Sequence, residues 1–274
     1  MRLALLLLVS ATALWGNAVE TSQIRWFKNI KQGLAEAKAL NKPILIDFWA
    51  DWCSPCKEMD ANVYTNPTVA EAINRRLVAV RIHLDMQPEV ARQYNVGAIP
   101  DLIFTDVYGT VLLRNRGEIG VFALSKIVAA LPKDLSEINR FDGKLQTKRN
   151  DFDTLLAMGR SLRSLGFYEA SGDFFARAIQ QGEAKARPQA REAALHDMGL
   201  NYLELHDGSR AAEAFERGLK DFPASPRRPE AMLNLVHAYV IDGQGDKARK
   251  TLNNLRRDFP ASDTVAKAQA LIHN

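Results

Sequence analysis

Residues 44–57 read Ile-Leu-Ile-Asp-Phe-Trp-Ala-Asp-Trp-Cys-Ser-Pro-Cys-Lys, and this stretch decides the fold. Its first six residues are apolar except for Asp47, which predicts a strand that is covered on both faces. An acid in such a strand must be partnered or used, because a buried unpaired carboxylate is costly. The strand leads straight into Cys53 and Cys56, the two cysteines of the chain. We therefore expect a functional cysteine pair at the end of a buried strand.

The spacing of the cysteines has a chemical reason. If Cys53 begins a helix, Cys56 lies three residues on and on the same face, so the two sulfurs can join and separate with little backbone movement. The positive end of the helix dipole favours the thiolate of Cys53, which is the species that attacks a disulfide. Pro55 suits an early helical position, where no backbone N–H is needed. The pattern predicts a redox-active dithiol.

Two other uses of the cysteines remain as alternatives, a structural disulfide and half of a metal site. A structural zinc needs four ligands, and no further cysteine exists to complete a common set. A c-type haem site needs His directly after the second Cys, where this chain has Lys57. The histidines show no metal-ligand spacing, and we interpret them as packing or surface residues: His83, His196, His206, His237 and His273. We predict no metal and no cofactor.

Residues 44–57 resemble thioredoxin, in which a strand with a buried Asp leads into Trp-Cys-Gly-Pro-Cys-Lys. Ser54 stands here in place of the usual Gly. The longer run through residues 50–58 and 64–67 is most similar to the C-terminal thioredoxin-like domain of DsbD-type membrane disulfide reductases. The resemblance extends over residues 24–131 and implies an α/β thioredoxin-like domain, with a central mixed sheet flanked by helices.

The resemblance also implies roles for four residues around the dithiol. Cys53 attacks the substrate disulfide, and Cys56 resolves the mixed disulfide that results. Asp47, below the dithiol, takes the proton from Cys56. Lys57 lies near Asp47 and tunes it, although it could equally be a solvated helix charge.

A second functional element is expected at residues 96–100. In thioredoxins an Ile-Pro pair at this position holds a cis peptide bond beside the dithiol, and we carry that role over to Ile99 and Pro100. The free backbone of Ile99 would pair with an extended substrate, and Trp52 would complete the docking surface. Asp101 departs from the usual Thr, which leaves the substrate preference open.

The remaining elements of this half follow from hydrophobic periodicity. We predict helices over residues 24–40 and 121–131, and helices that begin near Cys53, Pro67 and Pro88. A second strand is predicted over residues 77–84, and an edge hairpin is predicted from residues 101–104 and 110–113. We assign the thioredoxin-like domain to residues 19–132.

The N-terminus predicts a secretory signal peptide over residues 1–18. Met1-Arg2 is followed by an apolar run to Trp15, and Gly16-Asn17-Ala18 supplies the small residues of a cleavage site. A retained membrane anchor is the alternative, but the run has about fourteen residues where a span needs about twenty. No Cys follows to carry a lipid. We predict a periplasmic protein with no membrane span after cleavage.

Residues 133–150 are polar and lack a clear period, so we predict a linker there. Residues 151–274 carry no strand signal, and they repeat in a pattern that resembles the tetratricopeptide repeat (TPR). The second and third copies contain Met198, Gly199, Tyr202, Ala211, Phe215, Gly218 and Pro223, then Tyr239, Ala248, Leu252, Leu255 and Pro260. A weaker first copy contains Gly159, Leu162, Gly166, Phe175 and Ala178. We predict an all-α TPR-type domain, with a generic helical bundle as the alternative.

Composition agrees with a globular protein and excludes some partners. The chain has 274 residues, 47% hydrophobic and 25% charged, with a net charge of +4 and no basic run, so we predict no nucleic-acid partner. Residues 243–248 match a dinucleotide fingerprint but follow a predicted helix instead of a strand, so we interpret them as a turn.

The sequence predicts a periplasmic thiol–disulfide oxidoreductase that reduces protein disulfides and recruits a protein partner through its TPR half. A DsbD-type membrane protein is the expected electron donor. The alternatives are a TPR scaffold with a secondary redox role, and a disulfide oxidase or isomerase.

Overall fold

The computed structural model describes residues 23–273, so the predicted signal peptide lies outside the described residues. The N-terminal part is an α/β unit built on a five-stranded mixed sheet of order β1-β3-β2-β4-β5. Its strands are β1 (Trp26–Phe27), β2 (Ile44–Trp49), β3 (Val78–His83), β4 (Asp101–Thr105) and β5 (Val111–Arg116). Its helices are α1 (Ile30–Leu40), α2 (Ser54–Met59), α3 (Pro67–Arg76), α4 (Pro88–Gln93) and α5 (Val121–Ala130). The thioredoxin-like architecture predicted from the sequence is confirmed.

Strand β2 lies at the centre of the sheet, as its continuous apolar run predicts. It pairs parallel with β3 on one side and antiparallel with β4 on the other. Ile44, Ile46 and Phe48 join the hydrophobic cluster on one face, and Leu45 joins the cluster on the other. Because side chains alternate along a strand, Asp47 lies on the same face as Leu45.

The predicted helix over residues 24–40 is wrong in its first third. Trp26 and Phe27 instead form β1, which pairs parallel with β3 at the sheet edge. The helix begins only at Ile30, because Asn29 is its N-cap. The Asn29 side chain accepts hydrogen bonds from the backbone N–H groups of Lys31 and Gln32.

The C-terminal part consists of helical hairpins, which confirms the predicted TPR-type domain. Its helices are α7 (Phe152–Ser164), α8 (Tyr168–Gln180), α9 (Glu183–Ala186), α10 (Pro188–Glu204), α11 (Gly208–Asp221), α12 (Arg228–Ile241), α13 (Gly245–Asp258) and α14 (Thr264–His273). The fingerprint at residues 243–248 is the turn between α12 and α13, where Gly243 has a φ of 70°. Within residues 23–273, no helix is long and apolar enough to cross a membrane.

A glycine facing a phenylalanine sets the spacing within the first two hairpins. A Cβ at Gly159 would lie 2.7 Å from the Phe175 ring, and one at Gly199 would lie 2.6 Å from the Phe215 ring. The glycines therefore let paired helices approach around an aromatic side chain. The third hairpin has Val236 and Leu252 at the corresponding positions, a larger residue and a smaller one, both buried.

The residues predicted to form a linker are mostly helical. Helix α6 (Ser136–Leu145) buries Ile138, Phe141 and Leu145, which recur at helical spacing among polar neighbours. The helix was not predicted because its apolar residues are few, so the segment is polar on average. A Cβ at Gly143 would lie 2.8 Å from the Tyr108 hydroxyl, so α6 lies close to the β4–β5 turn.

The two halves share one hydrophobic cluster. It contains Leu102 and Phe104 of β4, Ile138 of α6, and Phe152 and Phe175 of the first helical hairpin. Helix α8 also contacts the edge strand β5. The domain boundaries stay a prediction, but the predicted linker over residues 133–150 contains helix α6, which packs into this shared cluster.

Two buried carboxyl groups meet where α6 covers the β4–β5 turn. Asp106 Oδ1 accepts hydrogen bonds from the N–H groups of Tyr108 and Thr110, at 2.9 Å each. Its Oδ2 and the Oδ2 of Asp142 are both buried, and neither has another hydrogen-bond partner among the described residues. Burial and the facing Asp142 raise the pKa of Asp106 from 3.8 to about 8. A single proton held between the two acids therefore satisfies both oxygens.

We expect Asp106→Asn to flatten the pH dependence of stability. In the unfolded chain Asp106 loses its proton near pH 4, whereas in the folded protein it keeps the proton to about pH 8, so wild-type stability falls as pH rises through this range. The variant should gain on the order of 2–4 kcal/mol in unfolding free energy at pH 8.5 relative to the wild type, and little at pH 4. Urea unfolding at both pH values measures the difference. The exposed Asp134→Asn is the control, and equal changes at both pH values would contradict the shared proton.

We expect a fragment of residues 23–131 to be less stable than a fragment of residues 23–149. The shorter chain lacks α6 and would expose part of the shared cluster, at a cost of about 25 cal/mol for each Å² of apolar surface. Thermal unfolding of the two fragments gives the comparison. Equal midpoints would mean that α6 adds nothing to the α/β unit.

Candidate active site

The two cysteines close a disulfide at the start of α2. After β2 the chain turns through residues 50–52, and Cys53 takes the N-cap position with extended backbone angles. The Cys53 Sγ accepts a hydrogen bond from the N–H of Cys56 at 3.3 Å, and Pro55 occupies the first turn. Both cysteines are almost wholly buried. The arrangement places the Cys53 sulfur where the helix N–H groups stabilise a thiolate.

The peptide bond between Ile99 and Pro100 is cis, and it lies at the same end of the sheet as the disulfide. Asp101, the next residue, pairs with Phe48 near the end of β2, just before the loop that carries Cys53. The Pro100 carbonyl accepts a hydrogen bond from the Gly117 N–H at 2.8 Å. The sheet therefore brings residues 96–100 and the cysteine pair to the same end of its strands.

Two residues at the end of β3 hold the loop that precedes Cys53. The Trp52 side chain is 64% exposed, and its indole N–H donates to Asp85 at 2.8 Å. The Nε2 of His83 lies 3.2 Å from Asp51, and its ring packs edge-on against Trp49. His83, interpreted from the sequence as a packing or surface residue, thus contacts the active-site loop.

Asp47 is 1% exposed and faces a buried cation from the neighbouring strand. It pairs across the sheet with Arg81, whose Nε lies 3.1 Å from Asp47 Oδ2. The same guanidinium contacts Asp60 at 2.8 Å, and it lies 4.2 Å from the centre of the Trp49 ring. One arginine thus joins β2, β3 and the π-helical turn Asp60–Tyr64 that follows α2.

Burial dominates the proton affinity of Asp47. It raises the pKa of Asp47 from 3.8 to about 6, against the opposing charge of Arg81, and the carboxylate of Asp60 adds to the rise. The contact with Arg81 is not aligned as a hydrogen bond, so Asp47 Oδ2 keeps a lone pair that can accept a proton. The group is therefore suited to exchange a proton near neutral pH.

Arg81 is the functional candidate that the sequence reasoning missed. Lys57, predicted to tune Asp47, is exposed on α2, and in the described part of the chain the ion pair to Asp47 comes from Arg81. A signal was present, since Arg81 interrupts the apolar strand Val78–His83 as Asp47 interrupts β2. Opposite charges in two adjacent buried strands are expected to pair with each other.

The similarity to known proteins agrees with this geometry. A thioredoxin family model matches residues 24–117. The chain is 39% identical to thioredoxin 1 of Chlorobaculum tepidum over 77 residues. This stretch makes up 28% of this chain and 72% of that protein. The chain belongs to the thioredoxin family. Outside this match, a tetratricopeptide repeat model matches residues 202–272, which run from the end of α10 into α14 and include the third helical hairpin.

Other thioredoxin-family proteins match the same region. Thioredoxin of Mycobacterium tuberculosis is 36% identical over 98 residues, 36% of this chain and 75% of that protein. A bifunctional thioredoxin reductase/thioredoxin of Mycobacterium leprae is 35% identical over 104 residues, 38% of this chain but only 20% of that protein. A solved DsbH oxidoreductase aligns with a TM-score of 0.37 at 21% identity, over 44% of this chain and 93% of that one.

We expect Asp47→Asn to stabilise the protein at alkaline pH. Because the pKa of Asp47 is raised in the folded state, its contribution to stability is present below pH 4 and is lost as pH rises through about 6. Asparagine resembles the protonated acid, so the variant should be more stable than the wild type by about 2–3 kcal/mol at pH 8 and unchanged at pH 4. Chemical denaturation of the oxidised proteins provides the measurement. A loss of stability at pH 8 would mean that the ion pair with Arg81 outweighs the burial of the charge.

Proposed function

We propose that this thioredoxin-family thiol–disulfide oxidoreductase reduces protein disulfides in the periplasm and that its TPR domain recruits a protein partner. The observation that carries the proposal is the Cys53–Cys56 disulfide at the start of α2, at the same end of the sheet as the cis Ile99–Pro100 bond. The predicted signal peptide over residues 1–18 supports the periplasmic location.

The reaction needs two thiol exchanges. In the reduced protein the Cys53 thiolate attacks one sulfur of the client disulfide, forms a mixed disulfide with it, and expels the other client sulfur as a thiolate. Cys56 then loses its proton to Asp47 and attacks the Cys53 sulfur. The Cys53–Cys56 disulfide forms and the second client thiol leaves, so that the client gains two electrons and the protein loses them.

The raised pKa of Asp47 suits the second step. A carboxylate with a pKa of about 6 is mostly ionised at neutral pH, and it is a stronger base than an ordinary aspartate. A base of this strength, if it accepts the proton of Cys56 as the resemblance implies, raises the fraction of attacking thiolate. Arg81 lies beside Asp47 and limits how far burial can raise the pKa of the acid.

The reducing direction requires an electron donor in an oxidising compartment. Pro55 and Ile99 resemble the corresponding residues of reductases, and we propose a DsbD-type membrane protein as the donor. If the protein instead worked as an oxidase, reduced clients would be its preferred substrates, and an isomerase would act on clients with mispaired disulfides.

The helical half supports recruitment of a protein partner, because stacked TPR hairpins present extended surfaces for peptides or helices. The alternative of a TPR scaffold with a secondary redox role needs no working dithiol. The buried acid and the cis proline beside an intact cysteine pair favour the enzyme.

The test is reduction of insulin with dithiothreitol as the electron source. The wild type should accelerate reduction, Cys53→Ser should be inactive, and Asp47→Asn should resolve the mixed disulfide at least about tenfold more slowly at pH 7 because it cannot accept the proton. Stopped-flow release of a labelled peptide thiol measures the resolution step.

Wild-type activity no higher than that of Cys53→Ser would contradict the proposal. Cys56→Ser, which forms mixed disulfides but cannot resolve them, should trap clients in cells. Clients that Cys56→Ser no longer traps when residues 151–274 are also deleted would show recruitment by the TPR half, provided that the same deletion with both cysteines intact still reduces insulin.

A further inference from the structure

A second buried ion pair is formed by the residue that follows the cis proline in the chain. Asp101, the residue after Pro100, is 1% exposed at the start of β4. The Nε of Arg114, on the neighbouring strand β5, donates to both carboxylate oxygens of Asp101, at 2.9 and 3.0 Å. The Nη2 of Arg114 also donates to Asp101. This pair lies on the face of the sheet opposite to Asp47, because Asp101 pairs with Phe48 and Leu102 with Asp47.

The same guanidinium also holds the end of α4. The Nη1 of Arg114 donates to the carbonyl of Tyr94 at 3.0 Å, and its Nη2 donates to the carbonyl of Asn95 at 3.1 Å. Asn95 has a φ of 51°, in the left-handed region that often ends a helix. A cation beside the last carbonyl groups of a helix is favourable. Arg114 therefore contacts both ends of the segment that connects α4 to β4.

The segment between these two anchors is residues 96–100, which we call the docking loop. Gly97 and Ala98 are exposed, and Ile99 is half-buried. Within residues 23–273, the N–H groups of these three residues donate to no other group of the protein. Their backbone is therefore available to a client, while its position is set from the two ends.

We propose that Arg114 and Asp101 are positioning residues for the docking loop and thereby set the affinity for protein clients. This inference rests on the proposed function. An extended client chain pairs with the backbone of Ile99 only if that backbone is held at strand spacing from it. The threonine that is usual at this position in thioredoxins cannot form an ion pair with a guanidinium. The anchor of the loop in this chain therefore depends on Asp101.

The form of the ion pair supports positioning over simple stabilisation. A buried ion pair is weak evidence for stability, since well-packed apolar residues often serve as well. Its directional contacts, however, fix geometry. Arginine offers a planar fork whose donors point in different directions, and here the fork reaches two separate segments of backbone as well as one carboxylate.

Arg114→Lys separates the two roles of the side chain. Lysine keeps the charge beside Asp101 but, as a single ammonium group, cannot also hold the carbonyl groups of Tyr94 and Asn95. We expect its KM for insulin to rise about fivefold to tenfold, in keeping with the loss of one or two hydrogen bonds, while kcat is unchanged. The rate with dithiobisnitrobenzoate, a small disulfide without a peptide backbone, should stay within about twofold of the wild type.

Two further proteins complete the comparison. Arg92→Gln changes an exposed arginine on α4 and should leave both substrates unaffected. The double variant Asp101→Asn with Arg114→Gln removes both charges, leaves none buried alone, and should reproduce the rise in KM even if the lysine variant is unstable. Amide hydrogen exchange of Val96 and Gly117, whose N–H groups donate to the carbonyls of Ala91 and Pro100 at the two ends of the loop, reports on the loop without reference to activity, and it should be faster in both variants than in the wild type.

An unchanged KM for insulin together with unchanged exchange of Val96 and Gly117 would overturn the inference. So would an equal loss of rate on insulin and on dithiobisnitrobenzoate, because that would place the effect at the dithiol. Failure of the proposed function has a different signature, namely no insulin reduction by the wild type. In that case the exchange rates alone decide whether Arg114 holds the loop, and unchanged exchange overturns the inference.

Discussion

The contact between Asp47 and Arg81 is the interaction on which the redox site depends. Both residues lie in buried strands, and each partly offsets the cost of burying the charge of the other. Arg81 also contacts Asp60 and stacks on Trp49, which brings the turn after α2 and the end of β2 to the same point. The helix that carries Cys56 is thus fixed to the sheet through an acid whose proton affinity suits thiol exchange.

Three acids are buried in the α/β part, and each is accommodated differently. Burial raises the pKa of Asp47 to about 6 against the opposing charge of Arg81 beside it. Asp101 is fully engaged by the fork of Arg114 and serves as an anchor. Asp106 faces another acid, Asp142, and keeps its proton to high pH. Because all three carboxyl groups are buried, the differences in what they do follow from the partner that each one meets.

The two halves of the chain depend on each other through α6. This helix contributes Ile138 and Phe141 to a cluster that runs from the sheet into the first helical hairpin. Asn139 Nδ2 donates to the side chain of Asn41 at 2.7 Å, so the end of α1 is also attached to α6. A partner that binds the hairpins therefore binds a surface connected to the redox unit by a packed interface. Such an interface orients a recruited client better than a flexible tether would.

Much of this protein was determined by the sequence alone. The apolar run of β2, the spacing of Cys53 and Cys56 and the repeated Gly-aromatic pattern specify local structures whose period is fixed by the backbone. For that reason the buried strand, the position of the dithiol and the helical hairpins could be predicted, while the thioredoxin-like architecture followed from the resemblance of residues 44–57 to thioredoxin. The resemblance to thioredoxin added the cis bond before Pro100, which no periodicity reveals.

The tertiary structure alone decided which charges meet. Arg81, and not Lys57, pairs with Asp47, because the partner comes from the adjacent strand and lies in register with it. Arg114 reaches Asp101 from the next strand, and Asp142 reaches Asp106 from a segment that looked like a linker. These contacts join residues that are far apart in the chain. Sequence periodicity reports which face of its own element a residue occupies, whereas its partner is set by how the elements pack.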